Sequence, residues 1–203
     1  MYRNHTKRLL DIVFSLLLLP LIALIFFIIA PIIHIYDGGP VLFNGERLGY
    51  RGAIFKMYKF RSMYINAPDV RNADGSTYNG TDDSRVTKIG KFLRKTSLDE
   101  TPQLFNVLKG DMSFVGPRPG LPEIGEYLTN PDERHRREVR PGITGYSQAY
   151  YRNSDTSELR MYNDIQYADN MSFTLDLKIL VKTMDTVLAR KNVYRKQEYS
   201  KEQ

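Results

Sequence analysis

Residues 12–33 read IVFSLLLLPLIALIFFIIAPII, a run without a single charged side chain. As an α-helix it would be about 33 Å long, close to the thickness of a bilayer's hydrocarbon core. A small domain could hardly surround a helix that is apolar on every side, which argues against a buried core helix. The run is too long for the apolar region of a cleaved signal peptide, and no A-x-A-like site follows it. Arg3, Lys7 and Arg8 precede it and favour a cytoplasmic N-terminus. Pro20 interrupts the run, removes one backbone hydrogen bond and predicts a bend there; Pro31 falls near its end. A bent segment can span a membrane or dip in and return, and periodicity does not choose between the two. If the rest of the chain uses a cytosolic substrate, both ends must face the cytosol.

Outside this run the chain is polar. It has 203 residues, 26% of them charged, which is enough for one domain with a core. The expected layout is a membrane-inserted segment over 1–36, a globular part over 37–194 and a polar tail over 195–203. There is no cysteine, so disulfides and thiolate metal sites are excluded. The net charge of +6 suits anionic partners: a headgroup surface, a nucleotide, a phosphate or a nucleic acid.

The elements predict an α+β fold: a small mixed domain with short helices, interfacial amphipathic helices and the one membrane helix. Residues 41–43 and 54–60 are β-like, with a Gly- and Arg-rich loop over 44–52 between them. Residues 67–83 form a polar loop. A short basic helix covers 89–95, and a second helix starts at Ser97. Residues 110–122 form a Gly- and Pro-rich loop, 122–137 are helical and 141–145 make a turn. Over 175–190, Leu177, Leu180, Val181, Met184, Val187 and Leu188 recur at helical spacing. That helix either packs on the core or lies in a membrane interface.

The chemistry centres on Ser97-Leu98-Asp99-Glu100. Ser97 and Glu100 have the spacing of a capping box, which would place Asp99 in the first helical turn. The helix dipole there favours an ionised carboxylate, and the free N–H groups favour a bound phosphate. A carboxylate so placed can attack phosphorus. A capping box alone also explains the pair. Lys59 and Arg61 flank Phe60, so in a strand they would share a face. Arg118 is held between Pro117 and Pro119, which lowers the entropic cost of aiming its guanidinium. Arg140 precedes Pro141-Gly142. Singly each reads as a surface cation; together they suggest a site for a polyanion such as a pyrophosphate.

Longer motifs then become recognisable. They include Lys7-Arg8-Leu9-Leu10-Asp11, Glu46-Arg47-Leu48-Gly49, Tyr58-Lys59-Phe60-Arg61-Ser62-Met63 and Gln103-Leu104-Phe105-Asn106. Gly116-Pro117-Arg118-Pro119 and Arg140-Pro141-Gly142-Ile143-Thr144-Gly145 follow. Over nearly its whole length the chain resembles the bacterial sugar transferases, or monotopic phosphoglycosyl transferases. The resemblance implies transfer of a sugar-1-phosphate from a UDP-sugar to undecaprenyl phosphate with release of UMP. It implies Asp99 as nucleophile through a covalent intermediate, and Glu100 beside it supporting a Mg²⁺ ion and the site geometry. Arg118 would bind the nucleotide or its phosphates. The membrane helix would be re-entrant, with the active site at the cytoplasmic face of the inner membrane. Two departures stand out. The family bend is usually at a Ser-Pro pair near mid-helix, whereas Leu19 precedes Pro20, about one turn early. Many relatives have Trp-Gln and then Gly-Arg after the position of Gly145, whereas this chain keeps only Gln148, Arg152 and Asn153 of that pattern. That region is expected to contact the sugar.

Other functions fit less well. A catalytically silent scaffold leaves Asp99, Glu100 and Arg118 without a purpose. A nucleic-acid binder lacks a reading helix or an aromatic RNA-binding sheet motif. A soluble sugar transferase leaves the apolar run unexplained, and no alternating strand–helix pattern appears. Homo-oligomer formation is left open.

Overall fold

The computed structural model describes residues 2–71, 78–80, 82–122, 124–152 and 154–189. The expectations for Asn153 and for the tail lie outside them, and so do parts of the polar loop over 67–83. A π-turn, Tyr2–Thr6, runs into helix α1, Lys7–Asp37, which carries both Pro20 and Pro31. By length and composition α1 could cross a membrane.

Only its ends are docked. Lys7, Asp11 and Ser15 are buried at four-residue spacing, and Ile29 and Ile33 are buried near the other end. Leu16, Leu17, Leu18, Leu21, Leu24, Phe27 and Ile28 between them are exposed. At the first end Lys7 pairs with Asp176, and Asp11 accepts from Ser113 Oγ at 3.0 Å and the Phe114 amide at 3.2 Å. Arg8 donates to the Val107 and Leu108 carbonyls. At the other end Asp37 pairs with Arg61 at 3.1 Å, and Ile29 and Ile33 join Phe60 and Leu93 in an apolar cluster.

Strands β1, Leu42–Leu48, and β2, Ile54–Phe60, pair antiparallel from Leu42↔Phe60 to Leu48↔Ile54. β1 therefore extends through Asn44, Gly45 and Glu46, which the sequence places in a loop. Pairing with Tyr58, Met57 and Lys56 overrides their poor strand propensity. Helix α2, Lys88–Thr96, starts at Thr87, whose hydroxyl accepts from the Gly90 amide. Gly90 lies against the Ser62 carbonyl, where a Cβ would come within 1.9 Å of the oxygen, so only glycine allows this approach.

A 3-10 helix over Leu98–Gln103 leads into helix α3, Leu104–Lys109. Strand β3, Ser113–Val115, follows. The helix expected over 122–137 is two: α4, Ile124–Thr129, and α5, Pro131–Arg136, which starts anew because the Asn130 side chain caps it and Pro131 takes its first turn. The expected turn at 141–145 contains strand β4, Gly142–Thr144, parallel to β3. Helices α6, Tyr146–Tyr150, and α7, Ser157–Asn170, were not apparent from the sequence.

Helix α8, Phe173–Leu188, ends the described chain. It buries Asp176, Ile179 and Thr186 and exposes Leu177, Leu180, Val181, Met184 and Leu188. Its apolar stripe thus faces outward, as an interfacial helix requires, and a narrower mixed face of Leu175, Asp176, Ile179 and Thr186 holds it to the domain.

Candidate active site

Asp99 and Glu100 sit in the 3-10 helix, but no capping box forms. Ser97 is left-handed at φ 59°, and its backbone N–H closes the end of α2 on the Arg94 and Leu93 carbonyls. Its hydroxyl is spent on Arg152, whose Nη2 donates to it at 3.0 Å. Glu100 does not reach back to Ser97. Its carboxylate accepts from Lys59 Nζ at 2.6 Å across the gap to β2.

Asn106 sets that gap. It is fully buried on α3; its Oδ1 accepts from the Tyr58 amide at 2.9 Å, and its Nδ2 donates to the Lys56 carbonyl at 2.8 Å. One amide thus satisfies two backbone groups at the edge of β2 and locks α3 to the strand. Lys59, one residue beyond Tyr58, is carried over Glu100.

The two carboxylates are unlike. Glu100 is about a quarter exposed and is held by Lys59. Asp99 is buried, and among the described residues no side chain bonds to it. Burial raises the Asp99 carboxyl above its ordinary value, with Lys59 and Arg94 opposing and Glu100 reinforcing. Burial also pushes Glu100 up, but Lys59, Arg118 and Arg152 together hold it below its ordinary value. The pair therefore divides into a carboxyl without a side-chain partner among the described residues, shifted upward by burial, and an anchored one, shifted downward by its cations.

Arg118 is placed by two loops that lock together. The Gly116 amide donates to the Thr144 carbonyl at 2.9 Å, and the Gly142 amide to the Pro117 carbonyl at 2.9 Å. A Cβ on Gly116 would meet the Arg140 carbonyl at 2.2 Å, and one on Gly142 would meet the Gly116 nitrogen at 2.1 Å. The glycines of both motifs permit this crossing. Arg118 ends up exposed, acts electrostatically on Glu100, and has no hydrogen-bond or ion-pair partner among the described residues.

The structure does not gather every cation named from the sequence. Strand β2 ends at Phe60, so Arg61 does not share the face of Lys59; it turns to Asp37 and the Gly38 carbonyl. Arg140 donates Nε to the Gly110 carbonyl at 2.9 Å and lies over the Tyr50 ring. Gln148 is on α6 with both amide atoms buried and, among the described residues, unpartnered. Pro20 lies within the exposed middle of α1. Two further cations lie at the dyad: Arg152, expected in a sugar-contacting region but acting on both carboxylates, and Arg94, which had no assigned role, acts on Asp99 and donates to Ser62 Oγ at 2.9 Å. The basic run around Arg94 gave no sign of which side chain turns inward.

Among the described residues no group of three or more metal-ligating side chains occurs. Asp99 and Glu100 are adjacent carboxylates, and Mg²⁺ commonly takes only one or two from the protein, with phosphate oxygens and water completing its shell. The donor set fits that ion.

The sequence model described as bacterial sugar transferase matches residues 2–190. The chain belongs to the bacterial sugar transferase family. This sugar transferase is 42% identical over 187 residues to an uncharacterized sugar transferase, EpsL, of Bacillus subtilis, covering 92% of the chain and 89% of that relative. It is 41% identical over 191 residues to the galactosyl transferase CpsE of Streptococcus agalactiae, covering 90% of the chain and 42% of CpsE. It is 40% identical over 207 residues to the undecaprenyl-phosphate galactose phosphotransferase of Salmonella typhimurium, covering 93% of the chain and 41% of that enzyme. The chain thus spans about two fifths of the length of the last two.

Proposed function

We propose that the chain transfers a sugar-1-phosphate from a UDP-sugar to undecaprenyl phosphate, a first membrane step in building a glycan. The observation that carries this is Asp99: a buried carboxylate with no side-chain partner among the described residues, on which Lys59, Arg94 and Arg152 act, beside a Glu100 on which Arg118 acts as well. The names of relatives support the substrates. The Salmonella relative is an undecaprenyl-phosphate galactose phosphotransferase, and a Caulobacter vibrioides relative, 39% identical over 197 residues, is a UDP-glucose:undecaprenyl-phosphate glucose-1-phosphate transferase.

In this mechanism an Asp99 oxygen attacks the phosphorus bonded to the sugar. A bond forms from that phosphorus to Asp99, and the bond to the bridging oxygen breaks, so that UMP leaves with the electron pair. An oxygen of undecaprenyl phosphate then attacks the same phosphorus and frees the Asp99 carboxylate. Glu100, fixed by Lys59, holds its charge beside the nucleophile. Arg118, free and rigidly mounted, binds the phosphates of the donor. Gln148 has amide capacity to spare for a sugar hydroxyl. Mg²⁺, held by Asp99 and Glu100 with phosphate oxygens, would neutralise charge on the phosphates.

The membrane arrangement follows from α1. Ile25 and Phe26 already pack on the Phe60 cluster, so the stretch between the docked ends is residues 16–24, which would extend about 14 Å as a helix, short of a core about 30 Å thick. A spanning helix would also part its ends across the bilayer, yet both hold to one domain. We place α1 as a re-entrant helix, with the catalytic domain on the cytoplasmic face. The apolar stripe of α8 and the exposed Lys88, Lys91, Phe92 and Lys95 face of α2 suit the interface around it.

The test is UMP release by purified protein in lipid discs, with Mg²⁺, undecaprenyl phosphate and a panel of UDP-sugars, alongside Asp99→Asn. Release that requires the lipid phosphate, one UDP-sugar and Asp99 is expected. An active Asp99→Asn variant would remove Asp99 from the nucleophile role.

A further inference from the structure

Arg47 has no part in the scheme above, yet its surroundings are unusual. It lies in β1 directly opposite Phe55, so it shares a hairpin face with Phe55, Met57 and Lys59. That face covers the 3-10 helix and α3: Phe55 and Met57 pack on Val107 and Met112, and Lys59 reaches Glu100. Gly45, opposite Met57, separates Arg47 from the Phe43–Lys59 pair and adds no side chain of its own.

The neighbouring residue ties this end of the hairpin to the loop that carries Arg118. The Leu48 amide donates to the Gly120 carbonyl at 3.0 Å in an isolated antiparallel bridge. Arg137 fixes the junction. Its Nη1 donates to the Leu48 carbonyl at 2.8 Å, its Nη2 occupies the space a Cβ on Gly120 would need, and Glu133 holds it by an ion pair at 2.7 Å. Arg47 and Arg118 are therefore brought together by backbone pairing rather than by a shared carboxylate.

Neither arginine is neutralised. The only hydrogen bond from the Arg47 side chain among the described residues goes to the Glu46 carbonyl at 2.7 Å, and Arg118 makes none. The acid that acts on Arg47 is Asp69, which already pairs with Arg71 at 2.9 Å. Burial, then the charges of Arg118 and Arg71, lower the pKa of Arg47, and Asp69 opposes them, in keeping with the backbone bridge that joins the two segments. Two guanidinia on joined segments, neither in an ion pair among the described residues, form a ready seat for a dianion.

We propose that Arg47 and Arg118 jointly bind the nucleotide-side phosphate of the donor, the phosphate that departs with the nucleoside. This deepens the transfer reaction proposed above and rests on it. The pair lies on the Arg118 flank of Glu100, so a diphosphate reaching from the pair to Asp99 would present its sugar-side phosphorus to the nucleophile and its other phosphate to the arginines. Arg47 acts on the leaving group and not on the acceptor.

The test is calorimetric binding of UDP, and separately of pyrophosphate, to the full chain in lipid discs, with steady-state kinetics on both substrates. The variants are Arg47→Gln, Arg47→Lys, Arg118→Gln and the double Gln variant. Lys56→Gln, an exposed position on the other face of β2, is the control. Arg47→Gln should weaken UDP binding about ten- to a hundredfold and raise KM for the UDP-sugar. It should leave KM for undecaprenyl phosphate and the melting temperature at the level of the Lys56→Gln control. Arg47→Lys should recover part of the loss. The double variant should lose less than the product of the two single losses, because both side chains serve one phosphate. UDP binding by Arg47→Gln equal to the control would overturn the proposal, and so would a rise in KM confined to undecaprenyl phosphate. Wild-type protein that binds pyrophosphate through both arginines but no UDP would remove the UDP-sugar donor while leaving the paired seat standing. Wild-type protein that binds neither would remove both.

Discussion

Two clusters in this domain are built from the same kinds of side chain and behave in opposite ways. Beneath α5, Glu133 and Asp164 meet Arg136 and Arg137: Arg136 reaches Glu133 at 2.6 Å and Asp164 at 2.8 Å, and Arg137 reaches Glu133 at 2.7 Å. Both carboxylates are consumed. At the dyad, two carboxylates face Lys59, Arg94, Arg118 and Arg152, and among the described residues only Glu100 of the two is tied by an ion pair. The first cluster closes on itself and holds the fold. The second leaves one carboxylate and one arginine free and a surplus of positive charge, which only an anionic ligand can balance. Spare capacity, not the number of charges, separates a site from a strut.

The sharpest way to break the comparison is to neutralise one carboxylate in each cluster. Asp99→Asn is expected to lower turnover by at least a thousandfold while the melting temperature stays level or rises, because burial disfavours the charge it removes. Glu133→Gln should do the reverse. It leaves Arg136 and Arg137 buried with one counter-charge fewer, at a cost of about 3–5 kcal/mol in denaturant unfolding. The protein that remains folded should keep its kcat. If Glu133→Gln were active and as stable as wild type, the closed cluster would not be a strut.

Lys59→Met sharpens the dyad's side of the contrast. Lys59 positions Glu100, so its loss should lower kcat by about ten- to a hundredfold without abolishing it, as expected when a group supporting a reacting residue is removed. Arg118 and Arg152 still act on Glu100 in that variant. A loss as deep as that of Asp99→Asn would mean that Lys59 meets the substrate itself.

The contrast also explains what the sequence disclosed and what it withheld. The membrane helix was legible because twenty-two uncharged residues admit few other structures. Asp99 and Glu100 were legible as a pair, but by the wrong local logic: the expected capping box is absent, and Ser97 serves α2 and Arg152 instead. Arg61 was placed with Lys59 on strand alternation, which fails because the strand stops one residue short of it. α7 was missed because its helix buries Asn163, Asp164, Tyr167 and Ala168, a face with little apolar periodicity to detect. The outward stripe of α8 was legible as a stripe. Its direction was not, because a helix that buries Asp176 through Lys7, Tyr2 and Tyr167 does not announce its inner face by hydrophobicity.

The closed cluster also makes a smaller prediction, on pH. Burial raises the Asp164 carboxyl to about 6, although Arg136 pulls it down. Between an ordinary carboxylate value of about 4 and that value, the folded chain holds a proton that the unfolded chain has released. Its contribution is therefore fully present below about 4 and is lost as pH rises through about 6. Asp164→Asn cannot ionise, so it should flatten that part of the profile. Melting temperatures at pH 4.5 and pH 6.5 measure this directly, since wild type should lose more on going up in pH than the variant does. An equal loss in both proteins would show that Arg136 already holds Asp164 charged across this range, and the two clusters would then differ only in how many of their carboxylates are tied.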